Sequence, residues 1–379
     1  MSELSSDVVN WHAHGPDSHW VRGMKERFID PMWMCREGFA ASATNGSAVW
    51  DTSLTVQALC GSGLGLRPDD IEVLKSAVEF LDNSQIRENP LGVEHVYRHP
   101  SKGGWPFGTR DQGFAVSDRT AEAVTAILQL QKTFKQAIDL LLGLESSGGG
   151  YAAYEQVPGP EFLELFNITD AYEKCMVERR YPECTSSVVI ALTEFTAEYP
   201  EYRPEDHGRC IERSVLYLLR SQCPEGGWLG SWGVCFTHAT MFALQGLACI
   251  GRSEQSCTAV KKACAFLLRH QNADGGWGEA LESLNARHCV SEPDSSQVTN
   301  TAYAVIGLIA AQCSDQAAIE RGVAYIMKTQ QPTGEWLPGK LEGIYTPPCG
   351  YRYPLCKFHF ALKALGQDVK RHGNNRVLD

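Results

Sequence analysis

The sequence lacks the patterns that are typical of nucleic-acid binding, of a disulfide framework and of a membrane-spanning helix. It carries a net charge of -11, from 34 basic and 45 acidic residues, and no Lys/Arg-rich tract interrupts that balance. A polyanionic partner such as DNA or RNA is therefore not expected. The 14 cysteines form no C-x-x-C pair, so most are predicted to be small buried core residues. No run of about 18 apolar residues predicts a spanning helix.

The amino terminus also lacks a recognisable export signal. Residues 1–7 show neither a basic start nor the apolar stretch that a secretory leader needs. The sequence therefore predicts a cytoplasmic protein. Peripheral contact with an internal membrane stays open, because it would need no spanning segment.

Apolar residues at three- and four-residue spacing predict helices through the second half of the chain. The predicted helices cover 211–219, 238–250, 258–268, 298–311 and 317–327. No segment alternates strictly enough between apolar and polar residues to predict a strand.

A short motif recurs between these helices: Gln, three residues, Gly, one residue, Trp. Its copies begin at Gln222, Gln271 and Gln330, and two weaker relatives end at Trp105 and Tyr151. The spacing of about 45 to 60 residues is typical of a repeated helical hairpin, which buries its apolar face only against its neighbours. The sequence predicts an all-α fold, a single α/α toroid of about six helical hairpins, in which the Gln and Trp side chains have structural roles.

The segment 105–122 places one carboxyl group at a predicted helix start, directly after a loop rich in aromatic residues and glycine. Ser117 is the predicted N-cap, and apolar residues follow at helical spacing, so Asp118 is expected in the first turn. Two interpretations are open at this point. Asp118 either complements the helix dipole or takes part in chemistry.

The motif Val116-Ser117-Asp118-Arg119-Thr120-Ala121-Glu122 resembles the acid motif of the oxidosqualene cyclase and lanosterol synthase family, a class II terpene cyclase family. Further matches follow in the same order, at 32–36, 45–52, 150–155, 183–186, 230–237 and 275–279. The resemblance covers about 28–366 and corresponds only to the carboxy-terminal catalytic barrel of that family. It implies one barrel domain over 1–379, with 1–27 as an amino-terminal extension and without the second barrel of the family.

The resemblance also implies roles for individual residues. Asp118 would be the acid that protonates an epoxide, and Cys184 its hydrogen-bond partner, although a small core residue is an equally open interpretation of Cys184. Tyr154 would orient or accept the final proton, and His238, which replaces the usual aromatic residue, is a second candidate base. Aromatic faces would stabilise the carbocation. The aromatic positions that match the family are Trp50, Phe107, Tyr154, Trp232 and Tyr345.

Arg119 is the largest departure from the family pattern, because the family usually has Cys there. A guanidinium aimed at Asp118 would favour the carboxylate and reduce the protonated fraction. The next residue along a helix points about 100° away. Arg119 is therefore expected to face solvent or to hold an anionic group of the substrate.

The resemblance thus implies a metal-independent, acid-initiated carbocationic cyclisation, an isomerase activity of biosynthetic metabolism. No D-D-x-x-D motif is present, and neither a metal nor a cofactor is expected. Because the second barrel would supply part of the cavity wall, the predicted substrate is a small-molecule epoxidised isoprenoid or meroterpenoid smaller than a triterpene. A homo-oligomer or a helper chain that replaces the missing wall stays open.

Two other functions are compatible with the same fold. A glycoside hydrolase with an α/α toroid would need a second carboxylate opposite Asp118, and Asp111, Glu155 and Glu183 are the candidates. A non-catalytic binding or scaffold partner derived from a cyclase would need no acid at all. An open groove lined by exposed carboxylates would favour the hydrolase, whereas a closed aromatic pocket would favour the cyclase.

Overall fold

The computed structural model describes residues 11–27, 32–35, 38–41, 46–62, 68–95, 99–130, 135–154, 156, 160–167, 177–337, 339–346 and 349–372. The chain divides into two compact units, Met1–Gly46 and Ser47–Asp379. This boundary lies later than the predicted end of the amino-terminal extension at residue 27. Among the described helices, none is both long enough and apolar enough to cross a bilayer.

The smaller unit contains helix α1 (His19–Arg27) and an antiparallel hairpin of strands β1 (Met32–Cys35) and β2 (Gly38–Ala41). Each strand has four residues, which is too short for an alternating pattern to stand out in the sequence. The hairpin is therefore an addition to the predicted all-α fold.

The larger unit is mainly helical. Its helices are α2 (Ala48–Gly61), α3 (Pro68–Ser84), α4 (Ser117–Leu128), α5 (Lys135–Gly143), α6 (Pro182–Glu198), α7 (Pro204–Ser221), α8 (Cys235–Ala248), α9 (Thr258–Arg269), α10 (Ser283–Ala286), α11 (Val298–Ala310), α12 (Gln316–Thr329) and α13 (Cys356–Arg371). Short 3-10 turns occur at Val93–His95, Arg110–Gln112 and Glu161–Phe166.

Six of these helices close into an inner ring. In ring order they are α2, α4, α6, α8, α11 and α13, and α13 packs back against α2. Helices α3, α5, α7, α9 and α12 pack on the outside of that ring. The predicted α/α toroid is therefore confirmed.

The two layers differ in their patterns of burial. Along inner helix α8, every residue from 235 to 244 is buried. Outer helix α7 buries His207, Cys210, Ser214 and Leu218, which recur at intervals of three and four residues and form one face. A helix that is buried all round needs neighbours on every side, and the ring supplies them.

The recurrent tryptophans connect the two layers. The indole Nε1–H of Trp228 donates to the carbonyl of Leu218 (2.7 Å), near the end of α7, while its backbone N–H donates to Thr240 Oγ1 (3.0 Å) on α8. Trp277 forms the equivalent bonds to Leu267 (2.8 Å) and Thr301 (2.9 Å). Each indole thus donates to a carbonyl in the last turn of an outer helix, which agrees with the structural role predicted for the motif.

The glutamines and glycines of the motif shape the turns between the layers. Gln222 Nε2 donates to the carbonyls of Gly226 (2.7 Å) and Ala259 (2.8 Å), which connects the turn to the first turn of α9. Gly226 has a φ of 105°, and a Cβ there would lie 2.5 Å from the carbonyl oxygen of Lys262. Only glycine fits that position without a backbone shift.

Two further strand pairs lie beside the amino-terminal ends of inner helices. Strand β3 (Tyr151–Ala152) pairs with β4 (Arg180–Tyr181), which directly precedes α6. Strand β5 (Gly343–Thr346) pairs with β6 (Cys349–Tyr351), and Gly343 also bridges Gly233 just before α8. These pairs fix the segments that lead into the inner helices.

A cavity of about 310 Å³ lies between the carboxy-terminal halves of the inner helices. Glu122 and Glu194 face it together with Lys363. Burial, helped by the charge of Glu122 and opposed by Lys363, raises the pKa of Glu194 to about 7. This end of the ring is therefore polar as well as enclosed.

We expect Trp228→Ala to lower the free energy of unfolding by about 3–5 kcal/mol, because it removes a fully buried side chain. Trp228→Phe keeps most of the ring and removes only the bond to Leu218, so a smaller loss of about 1–3 kcal/mol is expected. Urea denaturation followed by circular dichroism measures both. The exposed Leu337→Ala is the matched control, expected within about 0.5 kcal/mol of the parent. Equal losses of unfolding free energy in Trp228→Ala and Leu337→Ala would contradict the structural role of Trp228.

Candidate active site

Helix α4 begins within the acid motif. Its first residue, Ser117, is hydrogen-bonded to β3 and to the residue that follows β3. Ser117 donates its backbone N–H to the carbonyl of Ala153 (2.7 Å) and its hydroxyl to the carbonyl of Ala152 (2.5 Å). The helix therefore begins at Ser117 itself, with Val116 at the N-cap position. The prediction of Ser117 as the N-cap is wrong, because its hydroxyl is used to bind the neighbouring strand.

Asp118 lies in the first turn of α4, as predicted, and its side chain is buried with 4% of its surface exposed. Its Oδ1 accepts the backbone N–H of Arg119 (2.8 Å), and its Oδ2 lies 3.0 Å from Arg119 Nη1. The carboxyl group is therefore held on both oxygens by the next residue.

Arg119 does not point to solvent. Its side chain is buried, 7% exposed, and the guanidinium carbon lies 3.5 Å from the ring centre of Trp50 and 4.3 Å from that of Phe107. The expectation of a solvent-facing side chain is wrong. The 100° separation of neighbouring residues is overcome because the long side chain folds back toward the carboxylate and is stabilised between two aromatic faces.

Opposing influences act on the Asp118 carboxyl group. Burial raises its pKa above the usual value, and the charges of Glu122 and Glu183 act in the same direction. The Arg119 guanidinium and its backbone N–H act in the opposite direction. Burial has the larger effect, so the pKa of Asp118 lies above its usual value even beside a cation.

Cys184 is fully buried on the first turn of α6. Burial raises its thiol pKa well above the usual value, and the charge of Asp118 adds to that shift. The thiol hydrogen-bonds the side chain of Ser117, which precedes the acid. Cys184 thus lies within electrostatic range of Asp118, and its predicted hydrogen bond to the acid stays a prediction.

A second buried carboxylate, that of Glu183, lies on α6. Glu183 is 2% exposed, and its Oε1 accepts the backbone N–H of Ser231 (3.0 Å) and lies 3.4 Å from His238 Nδ1. Its Oε2 has no hydrogen-bond partner among the described residues. His238 packs edge-on against Tyr303, with ring centres 4.9 Å apart. Glu183 and His238 therefore form a buried pair on adjacent inner helices.

Trp232 lies in the loop before α8 and is half-buried. Its ring centre is 4.3 Å from that of Tyr181, and its carbonyl accepts the hydroxyl of Tyr351 (3.0 Å). Burial raises the pKa of the Tyr351 hydroxyl, and the nearby charge of Arg119 opposes that shift. Tyr351 thus connects the Trp232 loop with the surroundings of Arg119.

Two predicted residues are less well placed. Tyr154 is 37% exposed, and its ring packs edge-on against Phe114 at 5.7 Å. Tyr345 lies on β5, but its side chain is outside the described residues. Of the predicted set, Trp50 and Phe107 contact Arg119, which in turn contacts Asp118. His238 lies beside Glu183.

The sequence predicts no role in a cyclase site for Glu183, Tyr181 or Tyr351. Glu183 has a usable signal, because it directly precedes Cys184 in a matched motif, but the sequence favours it only as a candidate hydrolase carboxylate. Tyr181 and Tyr351 have no local signal, since strand pairings bring them to the site.

The exposed carboxylate groove of a hydrolase is not found at Asp118. Asp118 and Glu183 are buried, and Asp111 is exposed on the 3-10 turn before α4. Glu155, the third candidate, lies outside the described residues. The arrangement is that of a buried acid among aromatic rings.

Comparison with known proteins gives a consistent family. Residues 46–370 match the family model described as squalene-hopene cyclase C-terminal domain. Protostadienol synthase A of Aspergillus fumigatus is 60% identical over 99% of this chain and 52% of its own length. Lanosterol synthase of Pneumocystis carinii is 41% identical over 97% of this chain and 52% of its own length. The chain spans about half the length of the curated relatives it matches.

Solved structures agree on the fold. A variant of the type II terpene cyclase MstE from Scytonema, in complex with its substrate geranylgeranyl dihydroxybenzoate, superposes with a TM-score of 0.57 at 16% identity. The match covers 97% of this chain and 98% of that one. At this identity the likeness shows the architecture alone.

We expect Arg119→Gln to raise the pKa of Asp118 further, because it removes the charge that opposes burial. The protonated carboxyl band in the infrared spectrum, assigned by its loss in Asp118→Asn, should then persist to higher pH. Arg110→Gln, at an exposed position in the preceding 3-10 turn, is the control and should leave the titration unchanged. An unaltered Asp118 titration in Arg119→Gln would contradict the electrostatic coupling.

Proposed function

This chain belongs to the squalene-hopene cyclase C-terminal domain family, and we propose that it begins a carbocationic cyclisation of an epoxidised isoprenoid by proton transfer from Asp118. The observation that carries the proposal is the buried Asp118 carboxyl group, whose pKa is raised while a guanidinium lies 3.0 Å from its Oδ2. The enzyme would be an isomerase of the class II terpene cyclase type.

An initiating acid has to be protonated at rest and yet give up its proton readily. Burial of Asp118 meets the first requirement, because it disfavours the charged form. Arg119 meets the second, because its guanidinium stabilises the carboxylate that remains after transfer.

Arg119 also offers a polar contact for the substrate. Its Nε has no hydrogen-bond partner among the described residues, although the side chain is buried. An unsatisfied buried donor favours a substrate that carries an acceptor, such as a carboxylate or enolic oxygen. This agrees with the anionic group predicted from the sequence.

The aromatic residues would stabilise the cation after initiation. Trp50 and Phe107 flank Arg119, and Trp232 stacks against Tyr181. A cation over such a face gains about 0.5–2 kcal/mol per ring. Tyr345 remains a candidate for the same role. The rings of Trp50, Phe107 and Trp232 carry no hydroxyl group that could add to the cation.

Proton loss ends such a reaction, and we assign it to His238. A neutral imidazole is a base, and the Glu183 carboxylate 3.4 Å from its Nδ1 would stabilise the imidazolium that forms. Tyr154 is the alternative acceptor. Its greater exposure, 37% against 8% for His238, favours His238 for a reaction that excludes water.

Two substrate classes remain for this site. The first is the epoxidised isoprenoid or meroterpenoid smaller than a triterpene, which follows if this barrel acts alone. The second is a triterpenoid precursor, favoured by 60% identity to a protostadienol synthase over nearly the whole chain. The second class would need additional cavity wall beyond this barrel, from another domain, a helper chain or a second copy of this chain.

We expect Asp118→Asn to abolish cyclisation, because the amide cannot donate the initiating proton. Purified protein would be incubated with epoxidised farnesyl and geranylgeranyl compounds, bare and headgroup-linked, and with oxidosqualene. Mass spectrometry would then detect isomers of unchanged mass. Asp111→Asn, at an exposed carboxylate of the same segment, is the matched control and should retain turnover. Equal turnover by Asp118→Asn and the parent would refute the assignment, and inactivity of the parent on every compound would favour a binding or scaffold role.

We expect His238→Phe to reduce turnover by about 10²- to 10⁴-fold or to move the product double bond, because it removes the base and keeps a ring against Tyr303. Glu183→Gln should shift the ratio of product double-bond isomers in the same direction as His238→Phe does. Tyr154→Phe serves as the comparison and should have little effect. The reverse ranking, with Tyr154→Phe the damaging change, would assign the final proton to Tyr154.

A further inference from the structure

Away from the acid, two buried thiols and a carboxylate meet on the carboxy-terminal side of α11. Cys264 lies on outer helix α9, and Cys313 lies in the turn after α11. Both are fully buried, and their sulfur atoms lie within 4.8 Å of each other. One oxygen of Glu254, from the loop between α8 and α9, completes a group whose three ligand atoms all lie within 4.8 Å of one another.

Backbone bonds hold these residues in place. Gln312 adopts a left-handed conformation, φ 53°, and the N–H of Cys313 donates to the carbonyl of Leu308 (3.0 Å), which ends α11 in a tight turn. Glu254 is attached to that turn twice. Its N–H donates to the carbonyl of Ala311 (2.8 Å), and its Oε2 accepts the N–H of Ser314 (2.6 Å).

We propose that Cys264, Cys313 and Glu254 bind a thiophilic divalent cation of the zinc class, with water as the fourth ligand. Two thiolates and a carboxylate form a donor set that suits zinc, and a water ligand would complete the tetrahedral geometry that zinc prefers. Metal–sulfur bonds of about 2.3 Å in a tetrahedron place the sulfurs about 3.8 Å apart. Atoms already within 4.8 Å need to move by about an ångström.

Binding would exchange protons for metal bonds without any change in oxidation state. The two S–H bonds break, their protons pass to solvent, and two metal–sulfur bonds form. Glu254 keeps one oxygen on Ser314 N–H and has the other for the metal. The cation would thereby join outer helix α9 to the end of inner helix α11.

This site is separate from the proposed chemistry. Thr299, at the start of α11, hydrogen-bonds Glu342 next to β5 (3.1 Å), on the side of the strand pairs that border the acid site. The metal site lies at the other end of α11, about 20 Å away for 13 residues at 1.5 Å each. A structural role in fastening the ring is therefore expected, and the cyclisation step does not use it.

The test is titration of the reduced, metal-free protein with Co²⁺ and Zn²⁺. One Co²⁺ per chain should give the visible absorption of a tetrahedral thiolate site, Zn²⁺ should displace it, and the bound cation should raise the thermal unfolding midpoint. Cys264→Ser and Cys313→Ser should each lose the absorption. Glu254→Gln, at a half-buried position that leaves both thiols intact, should weaken binding by about 10- to 100-fold.

Cys249→Ser is the matched control, because Cys249 is a half-buried helix-end thiol bonded to the carbonyl of Gly246 (3.1 Å) outside the cluster. It should bind the cation like the parent. Circular dichroism of each variant establishes that it is folded before titration. Equal binding by Cys313→Ser and the parent would overturn the proposal. So would a Cys264–Cys313 disulfide in freshly isolated protein, detected as a loss of two hydrogens in the peptide mass.

Discussion

The closure of six inner helices into a ring is the constraint on which the rest of this structure depends. Helices such as α8 are buried on almost every side, and a helix of that kind is stable in water only when neighbours surround it. Each outer helix covers one gap, and the indole of each recurrent tryptophan fastens it by a bond to its last turn, as Trp228 does at Leu218. The site exists because this packing gathers the starts of the inner helices.

Those helix starts define the electrostatics of the site. Asp118, Glu183 and His238 all lie within the first turn of their helices, where the helix dipole favours negative charge. Burial acts in the opposite direction and raises the pKa of Asp118 above its usual value. The position of Asp118 at a helix start and its burial therefore have opposing effects on its charge.

Arg119 illustrates how tertiary contacts decide the direction of a side chain. An isolated helix would direct it away from Asp118, but two aromatic rings from other segments hold the guanidinium over the carboxyl group. Arg119 Nη1 lies 3.0 Å from Asp118 Oδ2, and Arg119 Nε has no hydrogen-bond partner among the residues that the structure describes. A buried contact of this kind is weak evidence for stability, because the desolvation of both groups opposes their attraction.

Local pattern was sufficient to predict the helices in the second half of the chain, the hairpin repeat and the place of Asp118 in the first turn of its helix. The predicted helix 298–311 appears as Val298–Ala310, and 258–268 as Thr258–Arg269, because apolar periodicity reports a buried face directly. The glycines and tryptophans of the repeated Gln-x3-Gly-x-Trp motif likewise predicted the turns from local sequence. Only the tertiary structure decided that Ser117 binds Ala152 instead of capping its helix, that Arg119 folds back, and that Glu183 meets His238. These contacts join residues that are distant in sequence and that only the closed ring brings together. The local spacing of residues therefore cannot predict them.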